Sequence, residues 1–381
     1  MVSIGFLSTH NPFNCHSFSG TTFYMYKALC RLPQAKISVL AEKHHAYSGL
    51  RRLSHKITKR LRPRNFDQTN QLQDQDFENC LTLSQKDLKT KKFDFVIAPV
   101  ASDLIYRLDT SNSPPIIFVT DAITKYIQEN SYGIDISSDS EDWERASIKK
   151  SSKIVFSSHY MADKARLEYR DLLIDTPNKL EVIPFGLNLD FPPKIISHKK
   201  MTNGALHLLF VGRDWARKGG EVALDTLKEV QRLGIAAHLT IIGCSPESAK
   251  NQPGVTVIPY VNKSRRKEQK HYFDILNRSH MLLLPTRADC TPMVIAEANA
   301  FGIPALVSDI GGISTLVQSG SNGFLFPPSA GGIEYAKTIF QVFRDSAWYQ
   351  KLSKTSRQEY ENRLNWDVWA REICQIGKEI S

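Results

Sequence analysis

Nowhere in the 381 residues do eighteen or more apolar residues run together, which excludes a bilayer-spanning helix of the ordinary kind. Cysteine is scarce. The six (Cys15, Cys30, Cys80, Cys244, Cys290, Cys374) form no C-x-x-C pair, a pattern of reduced thiols and not of a disulfide frame. H-E-x-x-H is absent, and none of the eleven histidines lies at ligand spacing from a cysteine, so no metal site is expected. A Walker loop and G-x-G-x-x-G are absent too, which removes the P-loop ATPases and the nicotinamide enzymes. No repeat of solenoid period occurs. The first residues, MVSIGFLSTHNPFN, carry neither a basic n-region nor a small-residue cleavage site, so a cytoplasmic location without a secretory signal is expected.

What is present is the composition of a globular protein, 41% hydrophobic and 23% charged, with a length that implies two domains. The net charge is +10, and segment 48–64 (SGLRRLSHKITKRLRPR) holds seven Lys/Arg and no acid. The basicity is therefore a local patch, and no nucleic-acid partner is expected.

Short apolar runs alternate with helical stretches. VSIGFL (2–7), KISVLA (36–41), FDFVIA (93–98), PIIFVT (115–120), KIVFSS (153–158) and LEVIPFG (180–186) read as buried parallel strands. LHLLFVG (206–212), AHLTIIG (237–243), VTVIP (255–259), HMLLLP (280–285), PALVS (304–308) and GFLF (323–326) repeat the theme. Helices are expected over 20–31, 159–170, 219–233, 264–277, 292–301 and 329–345, and the Gln/Asn/Asp-rich segment 62–80 as a surface loop. The fold class is α/β, with two doubly wound domains and ligands bound in a cleft between them. The expected division is an N-terminal acceptor-side domain (1–190), a linker (191–204) and a donor domain (205–355). A C-terminal helix (356–381) packs back on the first domain.

Two segments concentrate chemistry. In RADCTPMVIAEANAFGIPALVSDIGGI (287–313), Thr291 suits an N-cap and Pro292 a first helical residue, leaving free backbone N–H groups for a phosphate or sugar hydroxyl. Glu297 sits among apolar neighbours, where a carboxylate is costly unless a polar partner such as a ribose diol meets it. Asp289 precedes it by eight residues; an ordinary loop acid and a solvated helix residue are the plainer readings of the two. In LLFVGRDWARKGGEVAL (208–224), Arg213 and Lys218 lie on a loop before a helix opened by Gly219-Gly220. Glycines admit backbone close to a ligand, and two cations over a helix N-terminus suit a diphosphate. Solvated surface cations are the alternative.

Taken together, FVGRxxxxKGG, D-x7-E and EANAFGIPALVSDIGG resemble the donor domain of retaining glycosyltransferases of the GT-B architecture, glycosyltransferase family 4. VIPFGLNLD (182–190), NGFLFPP (322–328) and Trp366 fit the same pattern. The resemblance implies two Rossmann-like domains facing across a cleft and sugar transfer from a nucleotide-diphosphate sugar to a glycan or lipid-linked hydroxyl acceptor, with no cofactor or metal. It implies that Arg213 and Lys218 hold the diphosphate with the Thr291–Met293–Val294 region, that Glu297 binds ribose, and that Asp289 contacts the transferred sugar. Tyr260 marks the segment presented to the nucleobase, and Gly20 the first-domain loop that opens a helix towards the phosphates. Departures are visible: Asp289 replaces the usual Glu, Cys290-Thr291-Pro292 replaces G-F-G, and Thr120-Asp121 replaces His-Asp, which leaves Asp121 as the polar candidate or as a helix cap. A nucleotide-sugar epimerase and a non-catalytic sugar-nucleotide-binding protein are the other readings of this pattern.

Leu50, Leu53, Ile57 and Leu61 in the basic segment fall on one helical stripe, with Arg51, Arg52, Lys56, Lys59 and Arg60 on the flanks. Such a helix would lie peripherally on an anionic membrane surface, or dock its aliphatic residues on the first domain's core.

Overall fold

The structure, a computed structural model, describes residues 1–45, 66–130, 136–190, 192 and 204–381. Segment 48–64, with Arg51, Arg52, Lys56, Lys59 and Arg60, lies outside the described residues, as does nearly all of 191–204. Among the described residues there are twelve strands: β1 (Val2–Phe6), β2 (Ala35–Val39), β3 (Phe95–Pro99), β4 (Ile116–Thr120), β5 (Lys153–Phe156), β6 (Leu180–Val182), β7 (Leu206–Val211), β8 (Ala237–Ile242), β9 (Val255–Ile258), β10 (Met281–Leu284), β11 (Ala305–Ser308) and β12 (Gly323–Phe326). They form two six-stranded parallel sheets, ordered β2-β1-β3-β4-β5-β6 and β12-β11-β10-β7-β8-β9.

The chain divides into two compact units: Met1–Ser157 with Ala162–Ile183 and Trp369–Ser381, and Ser158–Met161 with Pro184–Val368. The second unit opens earlier and ends later than the 205–355 expected from sequence. Leu187, Leu189 and Leu364 all join the core on one face of its sheet, and the Trp366 indole N–H donates to the Asn188 side chain at 2.9 Å. Gly186 lies under the Trp366 backbone, where a Cβ would come within 2.2 Å. In the first unit, the end of the helix Trp366–Ile380 packs Gly377 against the Phe95 ring on β3.

Segment 62–80 is not a loop from Phe66 onward: it is the first part of a helix, Phe66–Thr90. Its polar residues are helix-compatible, and Cys80, Ser84 and Leu88 fall one helical turn apart and are all buried. The sparse apolar stripe was hidden by the amide-rich composition.

The strands of the second sheet show why parallel strands read as unbroken apolar runs. On β7, Leu206, Leu208 and Phe210 enter one core while Leu209 enters the other; on β10, Met281 and Leu283 alternate with Leu282 and Leu284 in the same way. Both faces are covered along most of these strands, and β7 admits a polar residue only at half-buried His207.

Candidate functional site

In the second sheet β7 lies between β10 and β8. The chain leaves β7 for β8 on one side and reaches β10 on the other, so the carboxyl ends of β7 and β10 flank the point where the strand order reverses. In open parallel α/β sheets ligands bind at the carboxyl ends of the strands at such a reversal. The two chemistry-rich segments found in the sequence are the loops that leave these two strands.

They are joined by specific bonds. Arg217 donates from its guanidinium to the Ala288 carbonyl at 2.8 Å, and its own carbonyl accepts from the Arg287 amide at 2.7 Å. The Thr286 hydroxyl donates to the same Arg217 carbonyl. Lys218 is ion-paired with Asp289. Arg213 lies exposed at the start of the first loop. Trp215 lies across Gly220, where a Cβ would stand 2.1 Å from its ring, and its indole N–H is held by Glu221 at 2.7 Å. Gly219 has φ 73°, and a Cβ there would lie 1.8 Å from the Pro285 carbonyl oxygen. Both glycines are thus required by the protein's own packing of loop on loop, whatever a ligand adds.

The helix Met293–Ala300 begins one residue later than expected. Pro292 occupies the N-cap, and no side chain caps the helix, so Thr291 is not the cap. Proline has no N–H, and at this position it closes the loop without leaving a donor unsatisfied. Thr291 and Val294 are buried and Met293 is half-buried.

Glu297 is 2% exposed, so it is not a solvated helix residue. Lys263, on the loop after β9, donates to both carboxylate oxygens at 2.6 and 2.7 Å, and the Tyr272 hydroxyl donates to Oε2 at 2.6 Å. The ammonium also lies 4.7 Å from the Tyr272 ring centre. Burial, reinforced by the adjacent carboxylate, drives the Tyr272 hydroxyl far above its ordinary pKa and keeps it a donor. Lys263 and Tyr272 were not singled out from sequence. Lys263 stands in the run KSRRK, which reads as a solvated charged face, and only the fold brings it to a residue 34 positions away. Tyr260 is exposed on the same loop.

The remaining two candidates belong to the first unit. Gly20 is the N-cap of the helix Thr21–Leu29 at φ 88°, preceded by Phe18 and Ser19, which also have positive φ. Asp121 follows β4 and is half-buried; the helix there starts at Thr124 with Ile123 as its N-cap, so Asp121 does not cap it. The Thr124 amide donates instead to the buried Glu144, which also accepts from the Tyr169 hydroxyl.

Two parallel sheets of this order, each covered by helices, define the GT-B fold class. Solved structures agree over the whole chain: sucrose-phosphate synthase from Thermosynechococcus elongatus matches with a TM-score of 0.67 at 15% identity, covering 100% of this chain and 99% of that one. HepE from Anabaena, in complex with UDP and glucose, matches with a TM-score of 0.63 at 13% identity, covering 100% of both chains. Residues 205–345 match the family described as Glycosyl transferases group 1, so the second unit carries a group 1 glycosyltransferase domain. Among curated proteins, glycogen synthase of Mycobacterium tuberculosis is 25% identical over 207 residues, 52% of this chain and 49% of that protein. The chain spans about half the length of the first curated relatives it matches.

Proposed function

We propose that the protein is a retaining glycosyltransferase of family 4 type. It moves a sugar from a nucleotide-diphosphate sugar to a hydroxyl of a glycan or lipid-linked acceptor, at the cytoplasmic face of a membrane and without a metal. The observation that carries this reading is the joining of the β7 and β10 loops at the strand-order reversal, which sets Lys218 beside Asp289.

In this reading the diphosphate lies over the two loops. Arg213, Lys218 and the Met293 and Val294 amides meet the negative charge that grows as the anomeric carbon–oxygen bond breaks. Fixed cations fill the role that a divalent ion has elsewhere. The acceptor oxygen bonds to the anomeric carbon on the face the diphosphate leaves. The acceptor proton passes to a departing phosphate oxygen, and the products are glycoside and nucleoside diphosphate. Asp289 orients the transferred sugar, Glu297 the ribose, and Tyr260 marks the nucleobase segment. HepE was solved with UDP and glucose, which supports a nucleotide-sugar donor for this chain.

The test is turnover on a panel of nucleotide sugars with and without glycan acceptors, the product's anomeric configuration being read by NMR. Acceptor-dependent release of nucleoside diphosphate with retained configuration is expected. Release without acceptor, together with an epimerised sugar, would make it an epimerase, and tight binding without release an inert binding protein. Activity lost to a chelator and restored by manganese would overturn the metal-free mechanism.

A further inference from the structure

Glu297 cannot be approached as the sequence alone suggests. Its carboxylate is 2% exposed, whereas the Lys263 side chain that covers it is 33% exposed. A nucleoside arriving from solvent meets the ammonium first.

The hydrogen-bond inventory of the pair is specific. A carboxylate offers about four lone-pair sites, two on each oxygen. Oε2 accepts from Lys263 and Tyr272, and Oε1 accepts from Lys263 alone among the described residues. An ammonium has three N–H donors, and Lys263 commits one to each carboxylate oxygen. The pair therefore offers one acceptor site on Oε1 beside one remaining N–H of Lys263. Two neighbouring hydroxyls fit it: one donates to Oε1 and the other accepts from Lys263.

We propose that Lys263 is a specificity-determining residue of the nucleoside subsite, reading a ribose cis-diol jointly with Glu297. This rests on the donor-site reading above. Tyr272 is a positioning residue: its hydroxyl donates to Oε2 and holds the carboxylate beside Lys263. Because Lys263 lies three residues after Tyr260, the same short loop carries a sugar-reading cation and the nucleobase segment.

The experiment is calorimetric titration of the full chain with UDP, GDP and ADP, then with the 3′-deoxy form of whichever binds most tightly, and with inorganic pyrophosphate. Wild-type protein should prefer the ribose form over its 3′-deoxy form by about tenfold or more. Lys263→Met should lower affinity for the ribose form by about tenfold to a hundredfold, bring it close to that of the 3′-deoxy form, and leave pyrophosphate affinity within about twofold. Lys263→Arg, which keeps the cation and its donors, should restore most of the preference. A Lys263→Met protein that still discriminates the deoxy ligand as strongly as wild type overturns the proposal and leaves the donor site standing. Parallel loss of pyrophosphate binding also overturns it, by making Lys263 merely structural. If wild-type protein binds none of the three nucleotides, the donor-site reading itself fails.

Discussion

Lys218 and Asp289, 71 residues apart in sequence, are ion-paired with side chains only 14% and 10% exposed. The pair closes the loop after β7 onto the loop after β10. In the proposed function a diphosphate entering between these loops competes with Asp289 for the ammonium.

That competition is measurable. Asp289→Asn removes the resident anion, so pyrophosphate affinity should rise about threefold to tenfold while sugar transfer falls, since Asp289 also orients the sugar in the proposed mechanism. Lys218→Ala should cost ~1.5–3 kcal/mol of diphosphate binding. Calorimetry with pyrophosphate checks both; unchanged affinity in Asp289→Asn would mean that Lys218 is not the diphosphate ligand.

Gly219 and Gly234 separate strain from crowding. Both have positive φ, 73° and 83°, but a Cβ on Gly219 would strike the Pro285 carbonyl whereas one on Gly234 meets nothing within 4 Å. Gly234→Ala should cost ~1 kcal/mol of stability, from backbone strain alone. Gly219→Ala should cost ~3 kcal/mol or more, because the β7 and β10 loops must part. Urea denaturation of both variants decides; equal losses would show that close approach to Pro285 is not what requires the glycine.

The first unit should lose stability in acid through a buried imidazole. Burial holds His45 down to about 4, with neighbouring His44 adding to the effect. An unfolded histidine titrates near 6.5, so between that value and about 4 the unfolded chain binds the extra proton and stability falls as pH falls. The full difference is up to about 3 kcal/mol. Asp103, raised to about 6 by burial, works in the opposite direction, so the contribution is isolated by comparing wild type with His45→Gln. The variant should show a shallower loss of urea midpoint from pH 7 to pH 4.5, and an identical slope would refute the assignment.

Glu144 should matter to the segment after β4. It is buried, and burial raises its pKa against the opposing pull of Tyr169 and Thr124. Tyr169→Phe removes one of its donors and should cost ~1–3 kcal/mol. A Tyr169→Phe protein as stable as wild type would show that Glu144 is satisfied without the hydroxyl.

Much of this architecture was legible in the sequence. Met281–Leu284 is buried on both faces and reads as an unbroken apolar run, and Leu206–Val211 departs from one only at half-buried His207. The helix Phe66–Thr90 was missed because, over the part whose side chains are described (75–90), the buried residues are one cysteine, one serine and one leucine in a polar background. The segments carrying Lys218, Asp289 and Glu297 were visible as motifs. Their partners were not: Lys263 and Tyr272 reach Glu297 only through the packing of a loop and two helices. Thr291 failed as a cap by one residue, since a proline that suits the first helical position also suits the position before it.

Thermal unfolding with a panel of nucleotide sugars and nucleoside diphosphates tests most directly the proposed binding of a nucleotide-diphosphate sugar where the β7 and β10 loops meet. At 100 times its dissociation constant a ligand adds ~2.7 kcal/mol, a shift of several degrees for a chain of this size. At least one member of the panel should give that shift in wild-type protein and a clearly smaller one in Lys218→Ala. No shift with any nucleotide sugar or nucleoside diphosphate would contradict the account.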